Sequence, residues 1–237
     1  MKRIDLNADL GESQAALLDG TQAALLCEIT SANIACGGHA GDPVLMRATV
    51  EQCQSEGVSA GAHPSYPDRE NFGRTTLDMA LSDLTASIAE QLHSLQHLAR
   101  ELGVAITHLK PHGALYNDAA KDPQLAQAIV HAAVEYPNLI LYGLRGSIMI
   151  DVFRQAGFRT AAEVFADRAY QPDGSLRPRH LPGALITDPD EAAANALKLA
   201  ESKADTICVH SDTPNAIAIA RAVRAKLVSH GFTIGPI

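Results

Sequence analysis

Ile4-Asp5-Leu6-Asn7-Ala8-Asp9 is the stretch that decides the fold. Side chains alternate across a strand, so Ile4, Leu6 and Ala8 share one face and Asp5, Asn7 and Asp9 share the other. The same division recurs downstream. Val58, Ala60 and Ala62 oppose Ser59, Gly61 and His63; Thr107, Leu109 and Pro111 oppose Ile106, His108, Lys110 and His112; Ile207 and Val209 oppose Thr206, Cys208, His210 and Asp212. A doubly wound sheet is covered by helices on both faces and reads apolar on both. A barrel carries helices only outside, so its interior face can turn polar toward the mouth. The alternation selects a barrel.

Working outward, seven strand-like runs, at about 3–9, 31–36, 58–62, 105–110, 139–143, 159–164 and 206–210, alternate with helical segments. Strict β-then-α alternation implies a parallel sheet. Asp42-Pro43, Asp122-Pro123, Asp188-Pro189 and Thr213-Pro214 mark helix starts. In each, a cap oxygen accepts an orphan backbone N–H, and proline has no N–H to leave unpaired at the first helical position. Gly57, Gly103, Gly157 and Gly231 mark helix stops. Between the marks the period is helical: Leu81, Leu84, Ile88, Leu92, Leu95, Ala99 and Leu102 recur at three and four residues, and so do Ile219, Val223 and Leu227. No linker or low-complexity stretch divides the chain. The reading is an α/β protein, a single-domain (β/α) barrel over 1–237 with about seven parallel strands.

Composition narrows the function. Of 237 residues 46% are hydrophobic, enough for a sizeable core, and the net charge of -8 opposes non-specific binding to nucleic acid or an anionic membrane. No apolar run reaches the ~18 residues of a membrane span. The N-terminus runs directly into the first alternating stretch, without the apolar core of a signal peptide. A cytoplasmic protein is expected. Cys27, Cys36, Cys53 and Cys208 form no CxxC pair and read as reduced thiols.

In such barrels the site lies at the C-terminal strand ends. Those ends carry Asp9 and Glu12, Asn33 and His39, His63, then Lys110, His112, Tyr116 and Asn117, then Glu163, Asp167 and Arg168, and finally His210 and Asp212. Ionisable groups facing a barrel mouth cost desolvation unless they are paired or used, which singles out Asp9, His63 and His112. Lys110 either pairs with Asp9 or holds a carbonyl or carboxylate. Asp5 reads as structural and His108, one step deeper, as a satisfied core histidine. His93, His97, His131 and His230 fall on helices and read as solvated. Cys208 reads as packing. Cys36-Gly37-Gly38-His39-Ala40-Gly41-Asp42-Pro43 is a glycine-rich loop entering a helix, but Asp42 as N-cap competes for the donors an anion would need, and no Walker A loop or dinucleotide fingerprint occurs.

The strand ends also carry recognisable blocks: DLNADLGE at 5–12, SANIACGGHAGDP at 31–43, GAHPSYPDRENFGR at 61–74, HLKPHGALYN at 108–117, EVFADRAYQPDGSLRPR at 163–179 and DTICVHSDTP at 205–214. In this order and over nearly the whole chain they resemble the lactam utilisation family, the A subunits of bacterial 5-oxoprolinase. The resemblance implies a barrel related to metal-dependent carbohydrate deacetylases. It also implies ATP-coupled opening of 5-oxoproline to L-glutamate, with ATP and Mg2+ as cofactors and subunits B and C as partners. Three departures stand out: Gly38 where the family usually has Phe, Ser13 where it usually has Gly, and Glu201-Ser202-Lys203-Ala204 joining directly where many members carry an insertion.

For that chemistry His63 and His112 are the acid–base candidates, with Asp9 orienting or acting as base and Lys110 and Arg168 as charge clamps. Asn7, Asn33, His39, Asn117, Glu163 and His210 are the further substrate-binding candidates. Two other readings remain open. One is a metal-dependent amide hydrolase or deacetylase acting without ATP, with Asp9, His63 and His112 as ligands, although no spacing motif names a metal. The other is a non-catalytic subunit that binds a small acid.

Overall fold

The computed structural model describes residues 2–237. Seven strands form the ring: β1 (Lys2–Leu10), β2 (Ser31–Ala35), β3 (Ser59–His63), β4 (Ile106–Leu109), β5 (Ile140–Leu144), β6 (Arg159–Phe165) and β7 (Thr206–Cys208). Each pairs in parallel with the next, and β1 pairs with both β2 and β7, so the sheet closes on itself. The connections carry α1 (Gln14–Leu18), α2 (Thr21–Leu26), α3 (Pro43–Glu56), α4 (Leu81–Glu101), α5 (Gly113–Ala119), α6 (Pro123–Ala133), α7 (Ile148–Gln155), α8 (Pro189–Glu201) and α9 (Ala216–Ser229). All seven expected strands are present. An eighth, β8 (Phe232–Ile234), was not expected; it follows Gly231 and pairs in parallel with Lys2–Ile4 of β1. Three residues are too few to display a period, which is why the sequence does not announce it.

The outward face of β1 supplies Ile4, Leu6 and Ala8 to one large apolar cluster, joined by Leu84, Ile88, Leu92, Leu95 and Ala99 of α4 and by Ile219, Val223 and Leu227 of α9. Each fully buried leucine or isoleucine contributes about 1.5–3 kcal/mol relative to exposure. The α4 stripe starts one turn later than its sequence period, since Leu81 is exposed at the helix's first residue.

Asp42, Asp122 and Asp188 cap α3, α6 and α8 as expected, each accepting from backbone N–H groups of the first turn. Thr213 does not. Helix α9 starts at Ala216 after Asn215, which has positive φ and makes no side-chain cap bond, and the Thr213 hydroxyl instead donates to Asp167 Oδ2 at 2.5 Å. The helix end offers only N–H donors, whereas the buried carboxylate accepts the hydroxyl proton in a charge-assisted bond, the stronger kind, so the side chain turns to Asp167.

Inside the ring lies a polar layer. Asp5 accepts from the hydroxyls of Thr30, Ser31, Thr206 and Tyr142 at 2.6–3.2 Å, so it is a structural plug, as its sequence position implied. His108 packs on the Tyr142 ring at 4.5 Å between centroids and sets Nε2 3.0 Å from Asn33 Oδ1, a satisfied core histidine. Burial first, then Lys110, pulls its pKa down to about 3, so it is neutral. Its ring crosses the interior at Gly61, where any Cβ would lie 2.1 Å from His108 Nε2.

Candidate active site

Above this layer stands Lys110, the first residue after β4. Its Nζ lies 3.0 Å from Asp9 Oδ1, 2.9 Å from Glu163 Oε1, 3.3 Å from Asn7 Oδ1 and 3.1 Å from Cys208 Sγ. Burial pulls the ammonium's pKa down, but Asp9, Cys208 and Glu163 outweigh it and hold it well above its ordinary value. Lys110 is therefore a buried, fully engaged cation rather than a free clamp for substrate. Of the two readings open for Lys110, the structure shows the pairing with Asp9, and adds Glu163, Asn7 and Cys208, which lie on other strands. Asn7, Asn33 and Glu163 are fully buried in the same network: Asn7 Nδ2 donates to Glu163 Oε1 and Thr206 Oγ1, and Asn33 Nδ2 to Asn7 Oδ1 and Asp9 Oδ1. Their role is to hold Lys110 and Asp9. Cys208, expected to be simple packing, is part of this network too.

Toward the mouth the chain gathers three histidines and an acid from four successive strand ends: Glu12 after β1, His39 after β2, His63 at the end of β3 and His112 after β4. One donor atom from each lies within 4.8 Å of all the others. His63 Nδ1 is 2.7 Å from the Lys110 carbonyl oxygen, and His112 Nε2 is 3.0 Å from that of Phe72. A carbonyl oxygen only accepts, so both of these nitrogens carry protons. The remaining nitrogens, His63 Nε2 and His112 Nδ1, face each other at 3.0 Å with Asp9 Oδ1 3.4 Å from the first and Glu12 Oε1 3.5 Å from the second. His39 Nε2 sits 2.9 Å from Glu12 Oε1, and its ring stacks on His112 at 3.6 Å with an interplanar angle of 1°.

The wall behind this cluster is strained. Phe72 has φ +55°, a left-handed conformation unfavourable for a bulky side chain, which costs about 1–3 kcal/mol. That backbone aims the Phe72 carbonyl at His112, and Gly73, next in the loop, leaves no room for a Cβ against His39. Burial, joined by the neighbouring rings, holds His39 and His112 well below the ordinary imidazole pKa. Burial and the Asp9 charge push Glu12 up to about 7. A cleft of about 290 Å³ lined by Glu12, His39, Asp42, Arg69 and Phe72 opens onto the cluster.

His210, two residues after β7, stacks on Phe165 and places Nδ1 3.0 Å from both carboxylate oxygens of Asp167. Arg168 donates through Nη2 to the Arg177 carbonyl, while its buried Nε has no partner among the described residues. At the rim Asp212 takes Arg74 on one side and Arg179 on the other, the Arg179 Nη2 contact being 2.9 Å. Burial raises the Asp212 pKa, and the two guanidiniums overcome this and hold it well below the carboxylate range. Asn117 is exposed on α5 with its amide on the Gly113 carbonyl, so the structure does not bring it to the cluster.

The strand-end candidates thus divide. Asp9, His39, His63 and His112 come together at the mouth; Asn7, Asn33, Lys110 and Glu163 support them from below; His210 and Arg168 lie to the side. Sequence reasoning placed Glu12 at a strand end without giving it a role, and it did not find Phe72, Arg74 or Arg179. Only Glu12 carried a signal, an acid two residues beyond the first strand.

Comparison with known proteins agrees with this architecture. The chain matches the model of the LamB/YcsF family over residues 4–237. It is 46% identical to the A subunit of 5-oxoprolinase from Chloroflexus aggregans, over 99% of this chain and 98% of that one. It superposes on the lactam utilization protein from Thermus thermophilus with a TM-score of 0.91 and 37% identity, covering 99% of this chain and 100% of that one. A family 4 carbohydrate esterase from Streptomyces lividans shares the fold at a TM-score of 0.55 and 13% identity, covering 100% of this chain and 93% of that one. A seven-stranded parallel barrel of the deacetylase type, matched from end to end by these relatives, makes this chain a member of the LamB/YcsF family.

Proposed function

We propose that this chain is the A subunit of an ATP-dependent 5-oxoprolinase, acting with B and C subunits to convert 5-oxoproline to L-glutamate. The carrying observation is the convergence of Glu12, His63 and His112 lone pairs on one point at the mouth of the barrel. A lactam amide is resonance-stabilised and resists water, so the reaction needs both a better electrophile and an activated nucleophile. ATP, with Mg2+, supplies the first: transfer of its γ-phosphoryl group to the lactam oxygen gives ADP and a carbon open to attack. Water then adds to that carbon, the ring C–N bond breaks with the nitrogen leaving as the amine, and a second water releases phosphate.

We assign water attack and ring opening to this chain. Its sequence has no Walker A loop, whereas its mouth holds acid–base groups in a buried, pre-organised setting. The convergent atoms of Glu12, His63 and His112 hold and activate the water. Asp9 and Lys110 set the charge beneath them. The relatives' shared name and near-complete coverage support the substrate. The cytoplasm, where ATP is available, is the compartment this reaction requires. Among the described residues no helix is long and apolar enough to cross a membrane.

The test is glutamate release from 5-oxoproline by this chain alone and with its B and C partners, with and without ATP. ATP-dependent release only in the complete mixture supports the proposal. No release in any mixture of folded, bound partners rejects it.

A further inference from the structure

Two ring nitrogens that each lack a proton do not rest 3.0 Å apart unless something positive lies between them. The opposing nitrogens, Nδ1 of His63 and Nε2 of His112, are pinned as donors to the Lys110 and Phe72 carbonyls, the latter held by the left-handed Phe72 backbone. The inner pair, His63 Nε2 and His112 Nδ1, therefore presents lone pairs to each other, with carboxylate oxygens of Asp9 and Glu12 adding negative charge at 3.4 and 3.5 Å. The nearby ammonium of Lys110 is already engaged by Asp9 and Glu163.

We propose that a divalent transition-metal ion of the zinc class is bound by His63 Nε2, His112 Nδ1 and Glu12 Oε1. Tetrahedral zinc with ligand bonds of about 2.0–2.1 Å places its donors about 3.3 Å apart. The His63–His112 and His112–Glu12 separations of 3.0 and 3.5 Å bracket that spacing. Each ligand also has the outer partner that metal sites require: Lys110 O for His63, Phe72 O for His112 and His39 Nε2 for Glu12.

His39 is assigned the outer role rather than a ligand role for two reasons. An imidazole lone pair lies in the plane of its ring, and the His39 ring is parallel to and 3.6 Å from that of His112, so an ion in the plane of one is out of the plane of the other. The His39 Nδ1 is also buried without a partner among the described residues, and a ligand histidine would leave a proton stranded there. Two histidines and one glutamate leave a fourth position, as hydrolytic zinc sites do. A second convergence, of Asp9, Cys208 and His210, is excluded because the Lys110 ammonium sits against Asp9 and Cys208 and His210 Nδ1 is engaged by Asp167. The chemistry a zinc-class ion supplies is Lewis acidity toward an oxygen. The inference deepens the proposed function, but it is read without substrate and so stands or falls separately.

The full-length chain is purified without chelator and its metal content measured by mass spectrometry; metal-stripped protein is then titrated with Co2+ and followed by visible absorption. One equivalent of metal per chain and an intense d–d spectrum are expected. His63→Ala and His112→Gln should lose both, His39→Ala should weaken Co2+ binding by about 10–100-fold as outer-partner losses do, and the surface variant His93→Ala should bind as wild type. Circular dichroism establishes that each variant is folded, and His112→Gln serves where an alanine variant is not. Trace metal only, with no Co2+ spectrum from folded wild-type protein, would overturn the proposal and leave a proton shared between the two histidines. Stoichiometric binding retained in both His63→Ala and His112→Gln would equally overturn it.

Discussion

Lys110 Nζ and Glu163 Oε1 meet at 2.9 Å at the centre of the barrel, both residues shut off from solvent. Asp9 Oδ1 lies on the same ammonium at 3.0 Å, so one cation serves two acids. Replacing the lysine leaves two buried carboxylates without a counter-charge, and breaking a buried pair in this way costs about 3–5 kcal/mol. Lys110→Met is expected to melt well below wild type. Lys110→Met combined with Glu163→Gln should recover part of the loss, because one uncompensated charge has been removed. Equal melting of the single and double variants in a thermal scan would refute the shared-cation reading.

Gly61 and His108 are register partners on β3 and β4, and the imidazole fills the space a side chain at Gly61 would need. Gly61→Ala should destabilise the fold by about 1–3 kcal/mol, the usual range for overpacking. Denaturant unfolding measures it. If His108→Ala in the same chain does not relieve part of the cost, the clash is not with that ring.

Asp167 is fully buried and accepts from Thr213, the His210 backbone and His210 Nδ1. Burial raises its pKa, and His210 and the hydrogen bonds outweigh this, leaving the folded value below the ordinary 3.8. A depressed carboxyl contributes stability that is present above the unfolded pKa and lost as pH falls through the folded one. Wild type should therefore lose this contribution below about pH 4, near the unfolded aspartate value. Asp167→Asn should be less stable at neutral pH and show a shallower fall in acid. Parallel acid-unfolding curves for the two proteins would contradict the assignment.

Much of the architecture was legible because its signals are local. Ile4-Asp5-Leu6-Asn7-Ala8-Asp9 states in six residues that one face packs and the other does not, and the Asp-Pro starts at 42, 122 and 188 each became a capped helix. The meeting of His63 and His112 at the mouth was legible because strand-end position alone places them there. What escaped was set by partners distant in sequence. The pairing of Lys110 with Asp9 was one of two open readings, but Asn7, Glu163 and Cys208 around the same ammonium were not named with it. Asn117 is the last residue of the block at 108–117 yet falls on the exposed side of α5, since a helix turns its side chains by 100° per residue. Phe72 contributes through its backbone carbonyl, which no side-chain pattern advertises.

In the proposed reaction the cluster around His63 and His112 opens the lactam ring. The most direct measurement is glutamate formation by the reconstituted three-subunit complex carrying His112→Gln, with complex assembly verified on the same sample. The expected result is a fall in kcat of about 10²-fold or more, the lower bound for loss of an acid–base group, with the complex intact. Wild-type turnover by an assembled His112→Gln complex would contradict it.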